Sequence, residues 1–93
     1  MNKRIRAHIL VSGRVQGIFF RQNTKDKAEA LDLKGWVKNL PDGRVEAVFE
    51  GEKGTLEEMV EWIQKGPFLS KVDNVKVDWE EARVRFASFR IIY

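Results

Sequence analysis

The chain has 93 residues, of which 43% are hydrophobic and 33% are charged, and its formal net charge is +3. This length and apolar content suffice for one small hydrophobic core, so a single domain over residues 1–93 is expected. The chain contains no cysteine, which excludes disulfide bonds and zinc–thiolate sites. No long apolar run follows the basic start, so neither a signal peptide nor a membrane span is predicted and a cytoplasmic location is expected.

The first predicted elements are a strand, a loop and a helix. Apolar residues alternate from Ile5 to Val11, which predicts a strand with one apolar face. The next nine residues contain two glycines and are expected to form a loop. Thr24, Ala28 and Leu31 lie on one helical stripe, which predicts a helix over residues 22–34 that ends at Gly35.

A hairpin, a second helix and two strands follow. Residues 35–40 and 44–50 are predicted strands joined by the turn Pro41-Asp42-Gly43, where Pro presets one dihedral angle and Gly permits a positive φ. Thr55 and Glu58 match a capping box, after which helical apolar spacing predicts an amphipathic helix that ends at Gly66-Pro67. Residues 72–79 and 89–92 are predicted strands.

The predicted order is βαββαβ with a short extra strand at the C-terminal end. Two helices with one apolar stripe each must cover one face of a largely antiparallel sheet. This is an α+β, ferredoxin-like sandwich. The architecture carries many unrelated activities, so function has to come from particular residues.

The loop after the first strand has the composition of an anion site. Gly13 and Gly17 allow the chain to curl, and amides turned inward in such a loop bind anions. The N-terminal end of the following helix adds a positive dipole end, and Arg21 at the junction can contact two phosphate oxygens at once. The basic half of the chain supports this: residues 1–45 carry 10 Lys and Arg against 4 acids, and residues 46–93 carry 7 against 10.

The same segment carries a resemblance to a known family. Residues 13–21, Gly-Arg-Val-Gln-Gly-Ile-Phe-Phe-Arg, resemble the acylphosphatase signature Gly-Arg-Val-Gln-Gly-Val, one variable residue, then Phe-Arg. Only Ile18 departs from it, and Ile keeps the β-branched apolar character of Val. A second similar block covers residues 35–46, and the resemblance extends over essentially the whole chain.

The resemblance implies a hydrolase that cleaves the carboxyl–phosphate bond of acyl phosphates. It implies that Arg21 holds the phosphate and that Asn39 positions the attacking water. The amides from Arg14 to Phe19 are expected to bind phosphate oxygens; the residues concerned are Arg14, Val15, Gln16, Gly17, Ile18 and Phe19. The side chain of Arg14 has no assigned role.

Two other functions are compatible with the predicted order of elements. RNA-recognition domains share the βαββαβ order, but the predicted third strand carries Glu46 and Glu50, which would repel a phosphate backbone. A carbamoyl-phosphate-handling domain that acts with a partner is the other alternative. No set of His, Asp and Glu has metal-ligand spacing, so neither metal nor cofactor is expected. The expected partner is a small acyl phosphate, with no nucleic acid and no membrane, and the chain is expected to be a monomer.

Overall fold

The computed structural model describes residues 4–17, 19–67, 69–82 and 85–93. These residues form five strands and two helices in the predicted order. In chain order they are β1 (Arg4–Arg14), α1 (Phe20–Ala30), β2 (Lys34–Asn39), β3 (Val45–Glu52), α2 (Lys53–Lys65), β4 (Lys71–Glu81) and β5 (Phe89–Ile92).

The strands form one sheet in the order β4-β1-β3-β2-β5. Neighbouring strands are antiparallel except β2 and β5, which run parallel. Helix α1 packs against β2 and β5, and helix α2 packs against β1, β3 and β4. The ferredoxin-like α+β arrangement expected from the sequence is therefore confirmed.

The direction of the strands decides where the functional segments meet. Because β1 and β2 are both antiparallel to β3, they are parallel to each other, and β5 is parallel to β2. The carboxyl ends of β1, β2 and β5 therefore lie at one edge of the sheet. The loop after β1, the hairpin after β2 and the residue after β5 all start from this edge.

The core lies between this sheet and the two helices. Its alternating strand residues include Ile9, Val37 and Phe49, which share one hydrophobic cluster with Leu56 and Met59 of α2, and all five are fully buried. Each such side chain contributes roughly 1.5–3 kcal/mol when it leaves water. The apolar residues that alternate along the strands thus lie on the buried face of the sheet, as the period-2 pattern predicts.

Helix α1 ends earlier than expected, and the predicted extension to residue 34 is wrong. Asp32 takes a left-handed φ of 57°. The Asp32 amide donates to the Glu29 carbonyl over 3.0 Å, and the Leu33 amide donates to the Ala28 carbonyl over 2.8 Å. This is the Schellman pattern, which usually uses glycine. Asp32, rather than Gly35, therefore ends the helix, and the buried Leu33 anchors the exit.

The predicted capping box is also wrong. Helix α2 begins at Lys53, directly after β3, and its N-cap residue Glu52 makes no side-chain capping bond. Thr55 consequently lies inside the first turn, where its hydroxyl cannot cap the helix start. The predicted end is confirmed, since Gly66 has a φ of 83° and its amide donates to the Ile63 carbonyl over 3.0 Å.

Gly13 belongs to β1 rather than to the loop. Strand β1 runs three residues beyond the predicted end at Val11, with a register shift against β4 between Ser12 and Gly13. A Cβ at Gly13, whose φ is 126°, would lie 2.1 Å from the Lys71 carbonyl oxygen. Gly13 therefore serves the close approach of β1 and β4 at this bulge, and only Gly17 curves the loop.

Candidate active site

The loop between β1 and α1 is fixed at both ends by buried side chains. Val15 is 1% exposed and Phe20 is 2% exposed, and both belong to the hydrophobic core. The described residues between them have no comparable anchor in the core, since Gln16 is half-buried and Gly17 and Phe19 are exposed. Ile18 lies outside the described residues. The loop is thus anchored in the core at its two ends, by Val15 and by Phe20.

Two residues of this loop take left-handed backbone conformations. Gly17 has a φ of 75° and Phe19 has a φ of 60°. A change of hand within a short loop turns successive amides toward a common side, which produces an anion-binding concavity. Phe19 is also the N-cap residue of α1, and no side chain caps this helix. The first amides of α1 therefore have no side-chain acceptor among the described residues, and they directly follow the loop.

Gln16 connects the loop to the β2–β3 hairpin. Its side-chain amide Nε2 donates to the Leu40 carbonyl over 2.9 Å and to the Arg44 carbonyl over 2.8 Å. Leu40 directly follows Asn39 in the chain. The contact therefore holds the turn beside Asn39 against the loop between β1 and α1.

The turn itself is further held by Asp42. The Arg44 amide donates to Asp42 Oδ1 over 3.1 Å, and Arg44 Nε donates to Oδ2 over 2.7 Å. These contacts, the backbone hydrogen bond first, lower the pKa of the exposed Asp42 carboxyl below its ordinary value. The Pro41-Asp42-Gly43 turn predicted from the sequence is confirmed, with the Leu40 amide bonded to the Arg44 carbonyl over 2.8 Å.

Asn39 ends β2 with an unsatisfied side-chain oxygen. Its Oδ1 is buried and has no hydrogen-bond partner among the residues that the structure describes. A buried carbonyl oxygen without a partner is uncommon and calls for an explanation. Asn39 also lines the adjoining pocket, so this oxygen is a candidate acceptor for a bound group.

Arg21 supplies the positive charge of the site. It lies in the first turn of α1, is half-exposed, and forms no ion pair with any described carboxylate. Its guanidinium carbon lies 4.9 Å from the ring centroid of Tyr93, a cation–π contact. The five donors of Arg21 therefore remain available for an anion.

These groups line one open pocket of about 430 Å³. It contains both residues that the resemblance singled out, Arg21 and Asn39, together with part of the predicted phosphate loop. The full lining is Val15, Gly17, Phe19, Phe20, Arg21, Gln22, Asn39, Ile91 and Tyr93. One concave site thus combines a guanidinium, a helix N-terminus and an amide oxygen.

Two predicted phosphate-binding residues lie outside this lining. Arg14 is the last residue of β1, pairs with Lys71 and is exposed, and Gln16 turns its side chain to the hairpin. Their amide contacts with phosphate stay predictions. Tyr93 and Ile91 were not predicted at the site, because the parallel pairing of β5 with β2 has no local signal in the sequence.

The described residues contain neither a group of metal-ligating side chains nor a membrane-spanning helix. Within them, no three His, Asp or Glu side chains are grouped so that they could hold a metal ion. His8 Nε2 lies 2.6 Å from Glu46 Oε2, and neither residue lines the pocket. None of the described helices has the length and apolar character required to cross a membrane.

Comparison with known proteins identifies relatives of the whole chain. The acylphosphatase family model matches residues 7–91. An acylphosphatase from Pelotomaculum thermopropionicum is 46% identical over 90 residues, which are 97% of this chain and 98% of the relative. The acylphosphatase crystal structure from Bacillus subtilis superimposes with a TM-score of 0.92 at 38% identity and covers 96% of this chain and 99% of that one.

A more distant likeness involves part of a longer chain. The structure of T. kodakarensis HypF matches with a TM-score of 0.81 at 30% identity over 100% of this chain but only 12% of HypF. The matches to free-standing relatives cover both partners almost completely. The comparisons therefore do not favour the RNA-binding or partner-dependent alternatives.

Proposed function

The chain belongs to the acylphosphatase family and hydrolyses acyl phosphates to a carboxylate and inorganic phosphate, and we propose that the loop of residues 14–19 and Arg21 bind the phosphoryl group while Asn39 positions the water. The observation that carries this assignment is the shared pocket. It is lined by an Arg21 guanidinium free of any described carboxylate and by Asn39, whose Oδ1 is buried and unpaired.

Arg21 and the α1 N-terminus bind the phosphoryl group. A guanidinium donates two parallel hydrogen bonds to phosphate oxygens, and the uncapped amides of the first helical turn donate to a third. Charge on the three equatorial oxygens redistributes as the phosphoryl group is transferred. Donors already fixed around those oxygens stabilise the transition state without reorganisation.

Asn39 positions the water for attack on phosphorus. Its Oδ1 accepts a hydrogen bond from the water, and its Nδ2 donates to a phosphate oxygen. The water oxygen forms a bond to phosphorus as the bond between phosphorus and the acyl oxygen breaks, with the two oxygens in line. The acyl group leaves as a carboxylate, which needs no general acid, and the water's proton goes to the phosphate.

The reaction as proposed uses no metal ion. Arg21 and the helix amides supply the charge neutralisation that a cation gives in many phosphoryl transfers. Hydrolysis of benzoyl phosphate should therefore continue at an unchanged rate in EDTA, and loss of activity on chelation would contradict this.

The expected cytoplasmic location and monomeric state stay predictions, which cell fractionation and light scattering test.

Substitutions at the two side chains test the site. Arg21→Gln and Asn39→Ala are each expected to lower kcat/KM for benzoyl phosphate by roughly 10²–10³-fold, the usual loss when one transition-state donor is removed. Matched controls are Lys53→Gln, an exposed cation at the opposite end of the sheet, and Asn74→Ala, an exposed residue of β4. Full activity of either site variant would exclude the role given to that residue.

A further inference from the structure

Two large aromatic side chains stand exposed at the mouth of the pocket. Phe19 is 80% exposed and Tyr93 is 95% exposed, yet both line the cavity that holds Arg21 and Asn39. Single exposed apolar residues are common and need no explanation. Two of them on one pocket that binds a small molecule form an apolar wall, which marks a ligand contact.

The position of Phe19 has no explanation in the stability of the fold. Its ring is almost fully in solvent, so it gains little from burial. Its φ of 60° is unfavourable for a bulky side chain and would suit glycine or asparagine better. A strained backbone that presents an exposed ring beside a binding pocket indicates a role in binding.

Tyr93 lies where the leaving group must pass. Its ring centroid is 4.9 Å from the guanidinium carbon of Arg21, so a phosphoryl group held by Arg21 lies next to the ring. In-line displacement puts the water and the acyl oxygen on opposite sides of phosphorus. Asn39 is on the water side, and its Oδ1 is buried. The acyl group therefore leaves on the side of phosphorus opposite the water and must reach solvent, and Phe19 and Tyr93 are the strongly exposed aromatic residues of the lining.

We propose that Phe19 and Tyr93 form the acyl-binding side of the site and select flat, apolar acyl groups over small or charged ones. This inference rests on the proposed roles of Arg21 and Asn39. Aromatic rings pack well on a flat apolar acyl group, which loses water on both of its faces. Arg21 is the one cation among the described lining residues and is occupied by phosphate, so a charged acyl group finds no partner there.

A comparison of two substrates tests this selectivity. The value of kcat/KM is measured for benzoyl phosphate and acetyl phosphate with the wild type, Phe19→Ala and Tyr93→Ala. We expect the benzoyl-to-acetyl ratio of kcat/KM to fall by about tenfold in each variant, the scale of a lost apolar contact. The inhibition constant of inorganic phosphate should stay within about threefold in Phe19→Ala, because the phosphate contacts remain.

Matched controls are available elsewhere on the surface. Leu69 is 66% exposed and has a φ of 68°, and Ile92 is 40% exposed and precedes Tyr93, but neither lines the pocket. Leu69→Ala and Ile92→Ala should keep the wild-type ratio.

An unchanged ratio in Phe19→Ala and Tyr93→Ala, or an equal fall for both substrates, overturns the inference. Activity that is unaffected by Arg21→Gln and Asn39→Ala overturns the proposed site roles instead, so the two failures are distinguishable.

Discussion

Gln16 joins the two halves of the site through one side chain. Its two hydrogen bonds reach the carbonyls of Leu40 and Arg44, at the base of the turn that follows Asn39. The loop after β1 and Asn39, which are proposed to bind phosphate and to position the water, are therefore held together by one side chain. A displacement of about 1 Å between such groups costs a large part of the rate enhancement.

Replacing Gln16 by Leu is expected to lower kcat more than phosphate binding. The variant keeps the side-chain volume but removes two hydrogen bonds, while the Leu40 and Arg44 carbonyls keep their backbone donors. The loss of both bonds should lower the folding free energy by about 1–3 kcal/mol. We expect kcat for benzoyl phosphate to fall about tenfold, since Asn39 loses its register with the loop, while the inhibition constant of phosphate changes little. Steady-state kinetics and urea unfolding measure both effects.

Gln64→Leu, an exposed change on α2, is the control for Gln16→Leu. An equal rise in KM and in the phosphate inhibition constant, with kcat unchanged, would show that Gln16 supports phosphate binding alone.

At the residue scale the sequence was informative where a motif was present. Arg21 and Asn39 were identified from their motifs, and both line the pocket. Phe19 was predicted to bind phosphate through its amide, but it occupies the variable position of the motif, so nothing in the sequence pointed to a role for its side chain. The contact of Gln16 spans more than 20 residues of chain, and such a tertiary bond has no local signature.

Strand β2 depends on a glycine at its second position. Gly35 pairs with Phe49 on one side and Phe89 on the other, and the two phenyl rings stack with centroids 5.2 Å apart. The two rings can approach across β2 because Gly35, which lies between Phe49 and Phe89, has no side chain. A Cβ at Gly35 would also lie 1.9 Å from the Val48 carbonyl oxygen. Backbone approach and ring stacking both require glycine here.

The Gly35→Ala variant should be strongly destabilised. The methyl group clashes with backbone, and its φ of 144° is unfavourable for alanine, so we expect a loss of about 3 kcal/mol or more in the free energy of unfolding. Urea denaturation monitored by far-UV circular dichroism gives the value. Gly54→Ala is the control, because it lies in α2 with open space around it and should stabilise by up to about 1 kcal/mol. Similar values for the two variants would refute the close approach.

Element types were predictable from periodicity, whereas several element ends were not. Asp32 ends α1 in a left-handed conformation that glycine usually adopts, so the prediction that the helix ends at the nearest glycine, Gly35, was wrong. The Thr55 pattern was locally complete, yet β3 continues directly into α2 at Lys53. In both cases the connection was decided by tertiary packing, here the burial of Leu33 and the length of β3.

For the molecule as a whole, the site exists only when the sheet is formed. Its lining comes from the loop after β1, the start of α1 and the ends of β2 and β5. In the βαββαβ arrangement β1 and β2 are parallel, so their ends share an edge. The direction of β5, which brings Tyr93 there, depends on its parallel pairing with β2 and could not be foreseen.

Inorganic phosphate should therefore stabilise the folded protein. A ligand that binds only the folded state at ten times its Kd adds about 1.4 kcal/mol, which for a chain of this size raises Tm by roughly 6 °C. Differential scanning calorimetry of wild type and Arg21→Gln in the same phosphate buffers separates specific binding from general salt effects. An equal rise in Tm for the two proteins would mean that phosphate does not bind at Arg21.

The left-handed backbone at Phe19 places stability and selectivity in opposition. Glycine or asparagine at this position would relieve the strain, and the core would lose nothing because the ring is exposed. The same change would remove the acyl contact. Variants selected only for heat resistance should therefore accumulate substitutions of Phe19 and lose their preference among acyl groups. Directed evolution could likewise change substrate preference at this one codon without changing the packing of the core.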